Sequence, residues 1–187
     1  MSLTYATWNP SDKGAGVTLS GGNLIATSAG YDSVRSTISK STGKWYWELL
    51  VTSATPDHLI GVGSSAAPLT AGPGEDTNAY AYFKTGQRYH NATLTAYGAS
   101  YTTNDVIGVA LDADAGTVVF YKNNVSQGSI TLTSVSTPYF AMFGDGTGSS
   151  TVTANFGATA LTYSPPSGFN TGLYSGTASN SNFFAFM

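Results

Sequence analysis

The sequence contains no cysteine and few charged residues. The absence of Cys excludes disulfide bonds, thiolate zinc sites and a cysteine nucleophile. Charged residues make up 9% of the 187-residue chain, far below the roughly 25% of an ordinary soluble domain. Seven Lys and Arg face ten Asp and Glu, with no basic run. Because a phosphate backbone is bound through clustered basic charge, we expect no nucleic-acid partner.

Long apolar runs are also missing. Apolar stretches such as residues 106–111 are far shorter than the roughly 20 residues of a membrane-spanning helix, so we expect no membrane insertion. Residues 1–10 lack a basic segment followed by an apolar one, so no secretory signal peptide is expected.

His58 and His90 have no partner at metal-ligand spacing. We therefore expect neither a metal nor another cofactor.

The residues that are abundant favour β-structure. Aromatic residues make up 13% of the chain and glycines number 22, a mixture typical of short strands and tight turns. The clearest alternation lies at residues 44–51, where Trp45, Trp47, Leu49 and Val51 share one face. This pattern predicts a central strand, and it favours burial of the tryptophans over a sugar-stacking role.

Further candidate strands recur at short intervals, separated by Gly, Asn and Asp. We predict strand pairs between residues 16–19 and 23–27, 105–112 and 117–122, 117–122 and 125–132, and 138–143 and 150–156. The last pair would be joined by the glycine-rich loop 144–148. No window has sustained helical spacing, so the pattern predicts a single all-β sandwich or barrel.

No catalytic motif stands out. The alternating Asp112 and Asp114 resemble the opening of a calcium loop, but the remaining ligands of such a loop are absent, and a hairpin turn explains them better. No Gly-x-Ser-x-Gly turn is present for a serine hydrolase. Four carboxylates fall in predicted loops, at Asp57, Glu75, Asp76 and Asp145. They leave a glycan-active enzyme open as a third alternative.

Eight sequence elements together resemble the SPRY domain family, and in particular its bacteriophage and prophage members. The elements, in the family's order, are residues 8–13 (WNPSDK), 34–37 (VRST), 43–48 (GKWYWE), 60–63 (IGVG), 89–91 (YHN), 104–112 (NDVIGVALD), 116 with 119–123 (G, VFYKN) and 155–157 (NFG). Each element alone is a weak signal, but the ordered set covers roughly residues 4–170.

The resemblance implies a bent β-sandwich of two antiparallel sheets, a concanavalin-like jelly roll, over residues 1–170. It implies no catalytic centre and a role in protein–protein interaction. By position, the loops of the binding end would be residues 28–32, 53–58, 71–80 and 144–150. Residues 171–187 would form a Gly-, Ser- and Asn-rich segment with an aromatic tail that docks on its own domain or on a neighbour.

Loop position and residue type give ten candidate contact residues, since tyrosine supplies a large contact area at low entropic cost. They are Tyr31, Asp32, Asp57, His58, Thr77, Asn78, Tyr80, Tyr97, Tyr101 and Asp145.

The expected function is a non-catalytic binding protein of a phage virion, a tail or capsid-decoration protein. Its partner would be another virion protein or a host-surface component, with a glycan as a further option, and its location the virion or otherwise the soluble cytoplasm. The alternative is a cementing protein that forms homo-oligomers through Phe183, Phe184 and Phe186 in the tail.

Overall fold

The computed structural model describes residues 2–176, which form seventeen β-strands and no helix. The strands are β1 Thr4–Tyr5, β2 Trp8–Lys13, β3 Val17–Ser20, β4 Ile25–Ala29, β5 Ser33–Lys40, β6 Lys44–Ser53, β7 His58–Gly63, β8 Ala79–Phe83, β9 Gln87–His90, β10 Thr93–Ala96, β11 Val106–Asp112, β12 Thr117–Lys122, β13 Val125–Thr131, β14 Tyr139–Asp145, β15 Ser149–Asn155, β16 Asn170–Thr171 and β17 Tyr174–Ser175. Within this part of the chain, no helix has the length and apolar character needed to cross a membrane.

Two large sheets make up the fold, and the expected all-β sandwich is confirmed. Sheet 1 has the strand order β10-β9-β8-β7-β14-β5-β2. Sheet 2 has the order β13-β12-β11-β6-β15-β4-β3, and β16 pairs in parallel with β6. All other pairings are antiparallel, including the small β1–β17 ribbon.

The core fills the space between the sheets with aromatic and β-branched side chains. On β6, Trp47, Leu49 and Val51 have no exposed surface, as the alternation predicts, whereas Trp45 on the same face is only partly buried. They belong to the same apolar cluster as residues of sheet 1 such as Tyr82 and Phe143. Full burial of a side chain of this size is worth about 1.5–3 kcal/mol, so this cluster holds the two sheets together.

The opposite face of β6 is covered by the chain that follows β15. The carboxylate of Glu48 accepts hydrogen bonds from the backbone N–H groups of Thr162, at 2.7 Å, and Tyr163, at 2.8 Å. Leu173 is completely buried. The packed sandwich therefore continues through Ser175, beyond the expected boundary at residue 170, whereas Phe183, Phe184 and Phe186 lie outside the described residues.

The structure confirms most of the predicted strand pairs and corrects one of them. The pairs β3–β4, β11–β12 and β12–β13 form as expected. Strands β14 and β15, however, lie in different sheets, with β14 between β7 and β5 and β15 between β6 and β4. The glycine-rich loop at residues 146–148 thus carries the chain from one sheet to the other, and the prediction of a hairpin there is wrong.

Candidate functional site

Three short loops meet at one end of the sandwich, where backbone hydrogen bonds tie them together. The N–H of Gly30, between β4 and β5, donates to the carbonyl of Gly148 at 2.6 Å. The N–H of Gly146 donates to the carbonyl of Asp57 at 3.0 Å, and the N–H of Asp145 donates to the carbonyl of Asp32 at 3.3 Å. Because these bonds link loops that are distant in sequence, the end of the sandwich is held as one surface.

A shallow depression of about 190 Å³ opens on this surface, and we call it the cleft. Its lining consists of loop residues and of side chains on strands β7 to β10: Tyr31, Asp57, Leu59, Gly72, Glu75, Phe83, Tyr89, Leu94 and Gly146. Each of the four stretches expected to form the binding end contributes at least one of these residues. The structure therefore brings the four stretches together around one cavity.

The long segment between β7 and β8 forms one wall of the cleft because it packs closely on β9. Gly74 has a φ of +98°, and a Cβ at this position would lie 2.4 Å from the carbonyl oxygen of Tyr89. Glycine has no Cβ, so it alone adopts this φ and allows this close approach without a steric clash. Gly74 thus lets this segment approach β9 and places Glu75 at the edge of the cleft.

Two carboxylates give the cleft a negative character. The hydroxyl of Tyr89 donates to Oε2 of Glu75 at 2.6 Å. Burial raises the pKa of Tyr89, and this hydrogen bond raises it further, so the phenol stays protonated as a donor. The Thr147 hydroxyl donates to Oδ2 of Asp57. Neither Asp57 nor Glu75 forms an ion pair with the described residues.

The remaining lining is apolar. Leu59, Phe83 and Leu94 contribute hydrophobic surface, and the ring of Tyr31 is 55% exposed beside them. This apolar depression is bordered by carboxylates that form no ion pair with the described residues. It suits a partner side chain that combines an apolar body with a hydrogen-bond donor or a positive charge.

Of the ten candidate contact residues, two line the cleft, namely Tyr31 and Asp57. Thr77 is exposed but is not part of the cleft lining. Asn78 donates through Nδ2 to Asp76 at 2.6 Å. The carboxylate of Asp32 accepts the backbone N–H of Gly16 at 2.6 Å. The last two side chains therefore stabilise their own loops.

Four other candidates are buried, so their expected exposure is wrong. His58 and Asp145 have no exposed surface, and Tyr101 and Tyr80 are 2% and 7% exposed. His58 and Tyr80 lie within strands, not loops, and Tyr80 stacks on His90 with ring centroids 3.6 Å apart. Tyr101 follows an irregular segment into the core, where its hydroxyl donates to backbone carbonyls such as that of Tyr82, 3.0 Å away.

His58 and Asp145 face each other across the β7–β14 pair and support the cleft from inside. Burial lowers the pKa of His58 to about 3, so its ring is neutral near pH 7, with Nδ1 3.0 Å from the Tyr101 hydroxyl. Burial alone would raise the pKa of Asp145. Hydrogen bonds from hydroxyls and from the N–H groups of Thr147 and Gly148 outweigh burial and keep this pKa below its usual value.

Tyr97 is half-buried and is also absent from the cleft lining. Its hydroxyl donates to the carbonyl of Gly128 at 2.6 Å and accepts the N–H of Phe120 at 3.2 Å. Burial raises the pKa of Tyr97 to about 12. Tyr97 therefore ties the segment after β10 to sheet 2.

The cleft also contains residues that sequence reasoning did not propose as contacts: Leu59, Glu75, Phe83, Tyr89 and Leu94. Tyr89 and Leu94 are opposite each other in the β9–β10 hairpin, so their side chains share one face. The positive φ values of Asn91 and Ala92 mark the tight turn of this hairpin. An Asn at this position was the available signal for a turn and hence for the register.

No metal-binding group of three or more His, Cys, Asp or Glu side chains occurs within residues 2–176. The side chains of Asp112 and Asp114 instead accept backbone hydrogen bonds, from Ala115 and Gly43.

Comparison with known proteins gives one family and a consistent fold. The SPRY domain family matches residues 44–159. Ran-binding protein 9 of Xenopus tropicalis is 33% identical over 171 residues, which cover 83% of this chain and 31% of that protein. The human Ran-binding protein 9 is 32% identical, covering 80% of this chain and 22% of that protein. The chain thus spans about a third or less of the length of these relatives.

Solved structures give the same result for the fold. The PSpry domain of TRIM65 superposes with a TM-score of 0.66 at 19% identity, covering 81% of this chain and 92% of that one. The SPRY domain of human HERC1 gives a TM-score of 0.66 at 18% identity, covering 79% and 96%. Stonustoxin gives 0.67 at 21% identity, covering 81% of this chain and 27% of that one.

Proposed function

The chain belongs to the SPRY domain family, and we propose that it binds a segment of another protein in the cleft, without catalysing a reaction. SPRY domains generally serve as protein–protein interaction modules. The family supplies the class of function. The choice of the cleft as the contact surface is our own inference from this chain's residues.

The observation that carries the proposal is the large exposed ring of Tyr31 beside the carboxylates of Asp57 and Glu75, which form no ion pair with the described residues. Exposed tyrosines on rigid supports are typical of surfaces that contact proteins. The support here is rigid because buried groups such as His58 and Asp145 fix the strands and loops beneath the cleft. Little conformational entropy is then lost when a partner docks.

The chemistry of the cleft also suggests what the partner presents. An apolar side chain can contact Leu59, Phe83 and Leu94, while a neighbouring Lys or Arg can pair with Asp57 or Glu75. The cavity of about 190 Å³ accommodates one side chain and not a large ligand. We therefore expect a short peptide segment in which a hydrophobic residue lies next to a basic one.

The more specific prediction, a phage virion protein that recognises a virion or host-surface partner, stays a prediction. Ran-binding protein 9 of frogs, fish and mammals, to which the chain is similar, lends it no support. The alternatives of a cementing protein and of a glycan-active enzyme likewise stay predictions. Deleting residues 177–187 and measuring the molecular mass tests the cementing role. An oligomer of the same size without these residues would show that the tail does not hold it together.

Selection of peptides tests the proposed cleft directly, because it does not require that the natural partner be identified. Random peptides displayed on phage are selected against the full chain, and the selected peptides are measured by calorimetry against single variants. Tyr31→Ala removes the 55% exposed ring of the cleft. Val125→Ala is the matched control, because Val125 is 64% exposed on the edge strand β13 of the other sheet.

We expect Tyr31→Ala to weaken the selected peptides about tenfold or more, as truncation of a central aromatic contact does, and Val125→Ala to change their affinity less than twofold. Enrichment of a hydrophobic residue beside Lys or Arg would support the stated chemistry. Peptides that bind Tyr31→Ala and the unaltered protein equally well would overturn the proposal.

A further inference from the structure

The hairpin formed by β9 and β10 separates the cleft from a second cavity on its opposite face. Arg88 lies opposite Thr95 and His90 opposite Thr93, whereas Tyr89 and Leu94 form the pair between them. Side chains alternate between the faces of a strand, so Arg88 and His90 point away from the cleft. The second cavity, which we call the back pocket, has a volume of about 250 Å³. It is lined by Tyr80, Arg88, His90, Asn91, Thr93 and Thr95.

The back pocket and the cleft have opposite charge. Asp57 and Glu75 line the cleft, whereas the back pocket contains the guanidinium of Arg88 and no carboxylate. The amide of Asn91 and the hydroxyl of Thr95 add uncharged donors, and neither group is hydrogen-bonded to another described residue. The lining therefore presents several hydrogen-bond donors around one positive charge.

The chain has seven Lys and Arg residues, all within residues 2–176, and Arg88 differs from the other six. Three of the others form ion pairs, at Arg35, Lys44 and Lys122. The remaining three donate to backbone carbonyls, at Lys13, Lys40 and Lys84. Arg88 has no ion pair and no side-chain hydrogen bond with any described residue. In a chain with so few cations, the fold has left one guanidinium free in a cavity.

The neighbouring His90 is held in a fixed orientation. Its ring stacks on Tyr80, with an interplanar angle of 2°, and Nδ1 lies 2.8 Å from the carbonyl oxygen of Ala79. A carbonyl can only accept, so Nδ1 carries a proton. Nε2, the other ring nitrogen, is then left to accept a hydrogen bond from a protonated oxygen of an oxyanion. The second polar group of the back pocket is thus oriented before any ligand arrives.

We propose that the back pocket binds a phosphate group, with the guanidinium of Arg88 as its bidentate anchor. The planar fork of arginine matches two oxygens of an oxyanion. Asn91, Thr95 and His90 supply further partners around a tetrahedral group, which has more acceptor oxygens than a carboxylate has. The site is separate from the cleft, so it does not depend on the function proposed above.

Titration with inorganic phosphate tests this site directly. The ¹⁵N-labelled full chain is followed by two-dimensional NMR at constant pH and ionic strength, including the Arg side-chain Nε–H signals. We expect saturable shifts at Arg88 and in the amides of residues 88–95. Arg88→Gln should weaken phosphate binding about tenfold or more, the loss of a charge-assisted hydrogen bond pair. Lys44→Gln, which removes a distant positive charge, should leave the affinity unchanged.

Two further arms keep the result unambiguous. Thr95→Val removes one donor at nearly constant shape and should weaken phosphate binding by a smaller factor, which gives a second test if Arg88→Gln unfolds. Acetate should bind more weakly than phosphate. The proposal is overturned by shifts that do not saturate, by equal phosphate affinity in Arg88→Gln and Lys44→Gln, or by tighter binding of acetate than of phosphate.

Discussion

Asp57 and His58 are neighbours in the sequence but belong to two different regions of the molecule. Asp57 is half-exposed and lines the cleft, whereas His58 begins β7 and has no exposed surface. The same contrast separates the exposed Tyr31 from the buried Tyr101. The cleft surface and the polar layer beneath it are thus built from the same residue types. Burial, and not residue type, therefore decides whether a residue at this end of the sandwich serves binding or stability.

Replacing the central core tryptophan should have the largest effect on stability. Trp47 is fully buried between the sheets, so Trp47→Ala should lower the free energy of unfolding by about 3–5 kcal/mol. Urea denaturation monitored by fluorescence or circular dichroism measures this loss. A change below about 1 kcal/mol would contradict the placement of Trp47 in the core.

Removal of the buried carboxylate should have the next largest effect. Asp145 accepts the N–H groups of Thr147, at 2.9 Å, and Gly148, at 2.8 Å. Asp145→Ala leaves these donors without their partner and should cost about 2–3 kcal/mol of stability. Asp57→Ala is the control on the cleft surface and should cost about 0.5 kcal/mol or less. Equal losses in the two variants would remove the distinction between the two regions.

Acidification should reveal the buried histidine. The pKa of His58 is about 3 in the folded chain and about 6.5 when unfolded. Below pH 6.5 the unfolded chain binds a proton that the folded chain excludes, so stability is lost as the pH falls. This group alone should lower the free energy of unfolding by about 2 kcal/mol between pH 7 and pH 5.

The matched variant for this prediction is His58→Phe, which keeps a ring beside Tyr101 and Phe143. Its urea denaturation curves should shift less between pH 7 and pH 5 than those of the unaltered protein. The same pH dependence in both proteins would show that His58 does not titrate as the fold predicts.

The smallest effect on stability is expected in the cleft itself. Tyr31 is more than half exposed, so Tyr31→Ala should shift the free energy of unfolding by about 0.5 kcal/mol or less. Thermal and urea unfolding measure this shift alongside the peptide affinities. A loss comparable to that of Asp145→Ala would place Tyr31 with the buried layer.

Most strands could be predicted from the sequence, but not all of their partners. Alternation identified β6 and β11, because a buried face imposes a period of two, and the turn at residues 112–116 identified β12. The same alternation is compatible with any neighbouring strand, so it does not show which strands pair. The residues before and after the glycine-rich stretch 144–148 therefore predicted a hairpin, although β14 and β15 belong to opposite sheets.

The candidate site could be located by segment but not by residue. The four loop stretches do meet at the cleft, yet Tyr80 and Tyr101 point into the core and Phe83 and Leu94 line the surface. Which face a tyrosine occupies depends on its strand register, and the register of β8 is set by its pairings with β7 and β9, which the sequence does not reveal.

The most direct test of the cleft as the contact surface is an NMR footprint of a selected peptide on the ¹⁵N-labelled chain. We expect the largest shifts at Tyr31, Asp57, Glu75, Phe83 and Leu94, with none on the outer face of sheet 2. A footprint centred instead on the exposed Leu50 and its neighbour Val106 would contradict it.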